Sequence, residues 1–176
     1  MRKGYGKGFG YTTILDYLKP RLKGEVVILG IGNTLRRDDG LGVILAERLK
    51  NRTPFKVFDV GISPENYLGK IVREKPNTVI IIDAVDFGAQ PGEFRLLDAD
   101  DIKTSNLFST HNISISLLIN YLQNNLKADI IILTVQPKEI SLGEGLSPEV
   151  KKTVNKLEDC FIALTSAQYA TSKKTR

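Results

Sequence analysis

The sequence contains very few cysteine and histidine residues, on which disulfides, structural zinc sites and many catalytic sites depend. Its 176 residues include one cysteine, Cys160, and one histidine, His111. A single cysteine excludes an internal disulfide and is typical of a protein in a reducing cytoplasm. The single histidine and the two carboxylates considered below do not match the four-ligand, thiolate-rich shell of a structural zinc site. We interpret Cys160 as a small buried residue of a C-terminal helix.

Long apolar runs and targeting signals are also missing. No run of about 18 apolar residues occurs, so no transmembrane helix is expected. The basic N-terminal stretch MRKGYGKGFGYTT lacks the apolar segment of a secretory signal. We therefore expect a cytoplasmic protein without membrane insertion.

The motifs of covalent and nucleotide chemistry are absent as well. No G-x-S-x-G sequence occurs, so catalysis by a serine nucleophile is not favoured. A strand followed by Gly30-x-Gly32 begins like a dinucleotide motif, but Leu35 occupies the position of the third glycine. No G-x-x-x-x-G-K-[ST] loop is present either. Nucleotide binding is therefore the weakest of the alternatives that we consider.

The net charge of +5 is concentrated at the two ends of the chain. The stretch 4–11 interleaves aromatic residues with a lysine, a pattern that can contact nucleic acid. A solvated arm or an added expression segment explains it more simply. Because the centre of the chain has no basic stripe, we expect no nucleic-acid partner. The terminal basic residues are Arg2, Lys3, Lys7, Lys173, Lys174 and Arg176.

The order of apolar and polar segments predicts an α/β protein. Hydrophobic residues make up 41% of the chain and charged residues 26%, as in an ordinary globular domain. We expect one α/β domain over 25–168, an N-terminal basic arm and short helix over 1–24, and a basic tail over 169–176. The fold class is three-layer α/β/α around a mostly parallel five-stranded sheet with one antiparallel strand.

The antiparallel strand is predicted from its distance to the strand before it. No crossover helix fits between 78–85 and 92–97, so we expect 92–97 to be hairpin-like and at or near an edge. A polar loop should then run to position 110. The helix after it should turn Ile113, Leu117, Leu118, Tyr121 and Leu122 inward. The other predicted strands are 25–31, 55–60 and 129–135, and the predicted helices are 12–19, 40–51, 64–73, 111–126 and 148–167.

Two carboxylates and the histidine are predicted to meet at one edge of this sheet. Sites in open parallel sheets form beyond the carboxyl ends of the strands. Asp39 follows the first strand, Asp83 ends the third, and His111 begins the helix that leads to the last strand. One imidazole and two carboxylates can hold a divalent transition metal with coordination positions left over. The sequence therefore predicts a metal-linked site of these three residues.

Each of the three residues also has a structural alternative. His111 can be a polar residue at a helix start, although the helix dipole disfavours its charged form and so keeps the ring able to bind a metal. Asp38 is better placed than Asp39 to cap the following helix, which leaves Asp39 projecting from the first turn. Asp83 can cap a strand end, and Asp86 is the alternative ligand on the same strand.

The chain resembles the hydrogenase maturation endopeptidases, which trim the C-terminus of the nickel–iron hydrogenase large subunit. The resemblance covers 25–157. Within it, the segment 63–66 (SPEN) is similar to that of the family branch that processes membrane-bound, hydrogen-evolving hydrogenases. One departure is Asp39, where some members have glutamate. The motifs are GIGNTL at 30–35, DDGLG at 38–42, DVG at 59–61, SPEN, IDAVDFG at 82–88, PGE at 91–93, STHN at 109–112 and QP at 136–137.

This resemblance implies a phosphorylase/hydrolase-like fold, a function and a ligand set. Asp39, Asp83 and His111 would be the metal-binding and catalytic trio, and the nickel that they recognise would be carried by the large-subunit precursor. Zinc or cadmium could occupy the same donors. The expected activity is removal of the precursor's C-terminal extension after nickel insertion. The alternative is a non-catalytic nickel-binding checkpoint or chaperone for the same precursor.

The sequence leaves the hydrolytic mechanism and the substrate cleft open. A metal could polarise the scissile carbonyl or lower the pKa of a water, or a carboxylate could act as general base in the manner of an aspartyl protease. We expect the substrate to lie between the loop 33–37 and the loop 100–110. Arg36 and Arg37 would bind the peptide there, unless they only form a solvated turn.

Overall fold

Three strands that are apolar along almost their whole length form the centre of the sheet. The computed structural model describes residues 11–104, 108–109 and 112–172. Strands β1 (Val26–Ile31), β3 (Thr78–Asp86) and β6 (Asp129–Val135) are buried at nearly every position. A strand that is covered on both faces needs such a continuous run of β-branched and aliphatic residues.

The order of the strands confirms the predicted fold class. It runs β2-β1-β3-β6-β4, with β2 at Lys56–Gly61 and β4 at Phe94–Asp98. Strands β2, β1, β3 and β6 are parallel, and β4 is antiparallel to β6 at the edge. The expected hairpin between β3 and β4 is wrong, because β6 pairs with β3 along its whole length and lies between them.

The segment between β4 and the next long helix is not the polar loop that the sequence predicted. Helix α4 (Ala99–Thr104) follows β4 directly, and strand β5 (Phe108–Ser109) pairs antiparallel with Val85 and Asp86 of β3. The carboxylate of Asp101 accepts a hydrogen bond from the backbone amide of Asp98 at 2.8 Å. This contact is half of a capping box, in which the third helical residue reaches back to the start of the helix.

Helices cover both faces of the sheet. On one face, α1 (Tyr11–Leu18), α2 (Leu41–Leu49) and α6 (Pro148–Ser172) pack on alternate residues of the strands, such as Ile80 and Ile82. On the other face, α3 (Leu68–Arg73) and α5 (Asn112–Asn125) pack on the intervening residues, such as Ile81 and Ile132. Since strand side chains alternate between faces, Asp83 and Thr134 lie on the α5 side.

The inward face of α5 differs in part from the prediction. Leu118 and Leu122 are buried as expected, but Leu117 is 63% exposed and Tyr121 39% exposed, so these two assignments are wrong. The side chain of Ile113 lies outside the described residues. The core face instead follows the i, i+3, i+4, i+7 spacing of Ile115, Leu118, Ile119 and Leu122. Apolar residues occur on several sides of this helix, so the periodicity of the sequence alone did not determine which side is buried.

Helix α2 approaches the sheet unusually closely because glycines face each other at the contact. A Cβ on Gly42 would stand 2.3 Å from the carbonyl oxygen of Ile31 and 2.4 Å from that of Ile82. A Cβ on Gly30 would stand 2.3 Å from the carbonyl oxygen of Gly42. The start of α2, and the turn before it, are thereby held against the carboxyl ends of β1 and β3.

The N-terminal segment is tied to the opposite end of the sheet. Ile14 and Leu18 of α1 are buried in the core. Arg21 binds Asp129 through two hydrogen bonds of 2.7 and 2.5 Å, and Asp98 through one of 2.6 Å. The division of the chain at position 24 stays a prediction.

Two further expectations concern Cys160 and the membrane. Cys160 is fully buried in α6, as predicted, and burial raises the pKa of its thiol to about 11. Across the described part of the chain, no helix is both long and apolar enough to span a bilayer.

Candidate active site

Asp83 lies close to the carboxyl end of β3 and has no solvent exposure. It follows five apolar or β-branched positions of the strand. On the neighbouring strand β6, Thr134 is its partner in the parallel register. A carboxylate in such surroundings is costly unless a cation or a hydrogen bond compensates its charge. Asp83 therefore has the burial that a ligand-binding carboxylate at a strand end requires.

Asp39 reaches the same edge of the sheet from a different element. It lies in a 3₁₀ turn, Arg37–Gly40, and is 2% exposed. The prediction that it projects from the first turn of α2 is wrong, because α2 begins only at Leu41. A Cβ on Gly32 would stand 1.9 Å from the carbonyl oxygen of Asp39, so only glycine allows this approach. The turn is thus held against the end of β1, next to β3.

Asp38 has a different role from the predicted helix cap. No side-chain hydrogen bond caps the 3₁₀ turn or α2. Asp38 is fully buried and accepts hydrogen bonds from the amides of Lys138, Glu139 and Ser147, and from the hydroxyl of Ser147. These groups lie between β6 and α6. The tertiary fold places three amides of a distant loop around Asp38. The Asp38 carboxylate binds these amides instead of those at the start of its own helix.

Asp86, the alternative ligand, faces solvent at the end of β3. Its Oδ1 accepts hydrogen bonds from the amide of Gly88 at 3.0 Å and from Nε2 of Gln136 at 3.1 Å. These two bonds, the Gly88 bond first, lower the pKa of Asp86. The arrangement closes a turn after the strand, and it supports a structural role for this carboxylate.

Gln136 organises the loop that follows β3. Its Oε1 accepts hydrogen bonds from the amides of Phe87 and Ala89, at 2.9 and 3.2 Å. Its backbone exchanges hydrogen bonds with Gly92 and Glu93. In the sequence, Gln136 and Pro137 are recognisable only as part of a motif. A glutamine directly after an apolar strand is the signal that indicates this role, because a buried amide side chain needs hydrogen-bond partners.

The loop 33–37 pairs with the loop that follows β6. Arg37 donates its amide to the carbonyl oxygen of Gly143, and Gly143 donates to that of Leu35, both at 2.9 Å. Nε of Arg36 donates to the carbonyl oxygen of Ile140 at 3.1 Å, and Arg37 lies 3.3 Å from a carboxylate oxygen of Glu139. The arginines are thus engaged within this paired structure. The cleft predicted between 33–37 and 100–110 stays a prediction, although α4 and β5 replace most of the second loop.

His111 lies outside the described residues. The nearest described residues before and after it are Ser109 in β5 and Asn112 at the start of α5. Among the described residues, which exclude this histidine, no group of three His, Cys, Asp or Glu side chains could hold a metal ion. The three-residue site as a whole therefore stays a prediction, with the positions of two members known.

The three-layer fold with buried carboxylates at the carboxyl ends of parallel strands defines an α/β enzyme domain. Within that class, this chain belongs to the hydrogenase maturation protease family, HycI, which matches residues 43–163. The predicted resemblance is confirmed, as is the prediction of an endopeptidase that hydrolyses a peptide bond.

Known proteins of this family resemble the chain over most of its length. The hydrogenase 3 maturation protease of Escherichia coli K12 is 34% identical over 130 residues, which cover 73% of this chain and 83% of that protein. The crystal structure of HycI from Thermococcus kodakarensis has a TM-score of 0.76 and 34% identity, and covers 85% and 99% of the two chains. The solution structure of the endopeptidase HycI from Escherichia coli has a TM-score of 0.66 and 30% identity, and covers 77% and 88%.

Proposed function

We propose that this protease removes the C-terminal extension of a nickel–iron hydrogenase large-subunit precursor after nickel has been inserted. Nickel is part of the substrate, and Asp39, Asp83 and His111 recognise it. The observation that carries the proposal is the pair of buried carboxylates, Asp39 and Asp83, at one edge of the sheet. Two buried carboxylates at one edge of the sheet are suitable ligands for a cation.

The donor set suits a divalent transition metal. Carboxylate oxygen and imidazole nitrogen bind nickel, and they also bind zinc or cadmium, which could occupy the same position. Three protein ligands leave coordination positions for groups of the precursor. The enzyme then binds the precursor through a metal that the precursor supplies.

The pairing of β5 with β3 supports the inclusion of His111. Ser109 is the register partner of Val85, two residues beyond Asp83. His111 follows Ser109 by two residues in the sequence. The described strand that precedes it therefore lies beside the end of β3 that contains Asp83.

For the hydrolytic step, we propose that one of the two carboxylates accepts a proton from the attacking water. A carboxylate does this as a general base, as in an aspartyl-type mechanism. The bound nickel would supply a positive charge near the scissile carbonyl. The proposed location is the cytoplasm, in keeping with a single, unpaired cysteine.

A cleavage assay with purified components tests the proposal. Nickel-loaded and nickel-free precursors are incubated with the wild type, Asp39→Asn, Asp83→Asn and Asp59→Asn, and the released peptide is identified by mass spectrometry. We expect cleavage of the nickel-loaded precursor alone. The two site variants should lose it, whereas Asp59→Asn, an exposed residue that binds only the amide of Gly61 in the described contacts, should retain it. Tight binding of the loaded precursor without cleavage by the wild type would instead establish the checkpoint function.

A further inference from the structure

Thr134 is a buried polar residue that the site described above leaves without a role. It has no solvent exposure, and its hydroxyl oxygen makes no hydrogen bond within the described structure. Leaving a buried hydroxyl without a hydrogen bond destabilises the folded state. Most buried side-chain polar atoms in proteins do have a partner, so an exception at a functional edge calls for an explanation.

The position of Thr134 limits what its hydroxyl can bind. Its partners in the register are Asp83 on β3 and Arg95 on β4, and its neighbours along the same face of β6 are Ile132 and Gln136. Arg95 has no acceptor, and Ile132 has no polar side-chain atom. The side-chain oxygen of Gln136 already accepts from two backbone amides. Among these four neighbours, Asp83 is the acceptor that remains.

The distance between the strands allows this contact. Neighbouring strands lie about 4.8 Å apart, and side chains in register on parallel strands project from the same face. A change of staggered rotamer about χ1 swings the threonine hydroxyl across that gap. The carboxylate can accept further hydrogen bonds while it binds a cation, because its two oxygens offer about four acceptor positions.

We propose that Thr134 is a positioning residue, whose hydroxyl donates a hydrogen bond to the Asp83 carboxylate and orients it toward the nickel of the precursor. This inference rests on the proposed function. Carboxylates that bind metals are themselves held by hydrogen bonds, and loss of such a partner typically lowers metal affinity or activity about 10–100-fold. Thr134 acts through Asp83 and does not touch the substrate.

Two substitutions of Thr134 distinguish the effect of its hydroxyl on precursor binding from the effect of its side-chain volume. Thr134→Val keeps the volume and removes the hydroxyl, whereas Thr134→Ser keeps the hydroxyl. Thr165→Val is the matched control, because Thr165 is also buried but bonds the carbonyl oxygen of Ile162 within α6. The dissociation constant for nickel-loaded precursor and the melting temperature are measured for each variant, with Asp83→Asn in parallel.

The expected result is that Thr134→Val binds the loaded precursor about tenfold more weakly than the wild type. Its melting temperature, measured without precursor, should be unchanged or higher, since the hydroxyl makes no hydrogen bond in the precursor-free structure. Thr134→Ser should bind within about twofold of the wild type, and Thr165→Val should bind normally despite a lower melting temperature.

Three outcomes would overturn the inference. Wild-type binding by Thr134→Val would show that the hydroxyl is unused. Weak binding that Thr134→Ser does not restore, together with a large fall in melting temperature, would show a purely structural role. Wild-type binding by Asp83→Asn would remove the proposed function and this inference together, whereas loss of binding in Asp83→Asn with normal Thr134→Val refutes the inference alone.

Discussion

Replacing Asp38 by asparagine should destabilise the protein although the two side chains have nearly the same shape. Oδ1 accepts the Ser147 amide at 2.7 Å, and Oδ2 accepts the amides of Lys138 and Glu139 and the Ser147 hydroxyl at 2.9, 3.1 and 2.8 Å. Asparagine has one acceptor oxygen and one donor NH₂ group in place of two acceptors. Whichever way it is oriented, its NH₂ group faces at least one backbone N–H.

The magnitude follows from these four contacts. The better orientation puts the asparagine oxygen where Oδ2 was, keeps three acceptor contacts and loses the Ser147 amide. Hydrogen bonds to a charged group contribute about 1.5–3 kcal/mol and neutral ones about 1 kcal/mol. One lost bond and three weakened ones, partly relieved by water at the loop surface, lower the free energy of unfolding by roughly 3 kcal/mol. In a protein of this size, that lowers Tm by roughly 6–12 °C.

Thermal unfolding followed by circular dichroism measures the effect, and amide hydrogen exchange at Lys138 and Glu139 locates it. Asp59→Asn is the control, because Asp59 is exposed and its carboxylate accepts the single amide of Gly61 at 3.0 Å. The control should change stability by less than about 0.5 kcal/mol. If Asp38→Asn melts within about 2 °C of the wild type, the four hydrogen bonds do not hold the loop as argued.

Three further predictions address the site, the core and the thiol. His111→Ala should abolish cleavage of nickel-loaded precursor and cost only about 1 kcal/mol of stability; full processing by the folded variant would contradict the proposed trio. Gly42→Ala should lower the free energy of unfolding by roughly 3 kcal/mol in a urea titration, because the added Cβ would meet backbone oxygens at 2.3 and 2.4 Å. Gly69→Ala is the control and should be nearly neutral, since its Cβ would lie 3.7 Å from a flexible side chain. Equal effects of the two substitutions would refute the close-packing argument. Burial raises the pKa of Cys160 from 9.0 to about 11. As the pH rises, the unfolded chain therefore loses the thiol proton first, and the stability of the protein should fall between about pH 9 and 11. Cys160→Ala should reduce this fall, and a variant with the same pH profile as the wild type would contradict the prediction.

The sequence by itself determined the elements whose signal is local and strong. β1, β3 and β6 are continuous runs of β-branched and aliphatic residues, which are typical of strands buried on both faces of a sheet. The short distance between β3 and β4 was enough to predict an antiparallel edge strand. Asp39 and Asp83 could be proposed as site residues because both follow strands of a parallel sheet, whose carboxyl ends share one edge.

The partners of these elements were decided only by the tertiary structure. β4 pairs with β6, a strand that comes later in the chain, so no pattern within the segment around β4 could indicate it. Which apolar residues of α5 are buried likewise depends on which side of the helix packs against the sheet.

The roles of the two neighbouring aspartates show the same limit. Asp38 and Asp39 are identical in type and adjacent in sequence, and both are buried. A backbone turn directs Asp38 to amides located about a hundred residues away in sequence, at Lys138 and Glu139, while close contact with Gly32 holds Asp39 at the edge of the sheet. Local sequence determines that a carboxylate is present at a position. Which partners it meets depends on non-local contacts, and these exist only once the chain has folded.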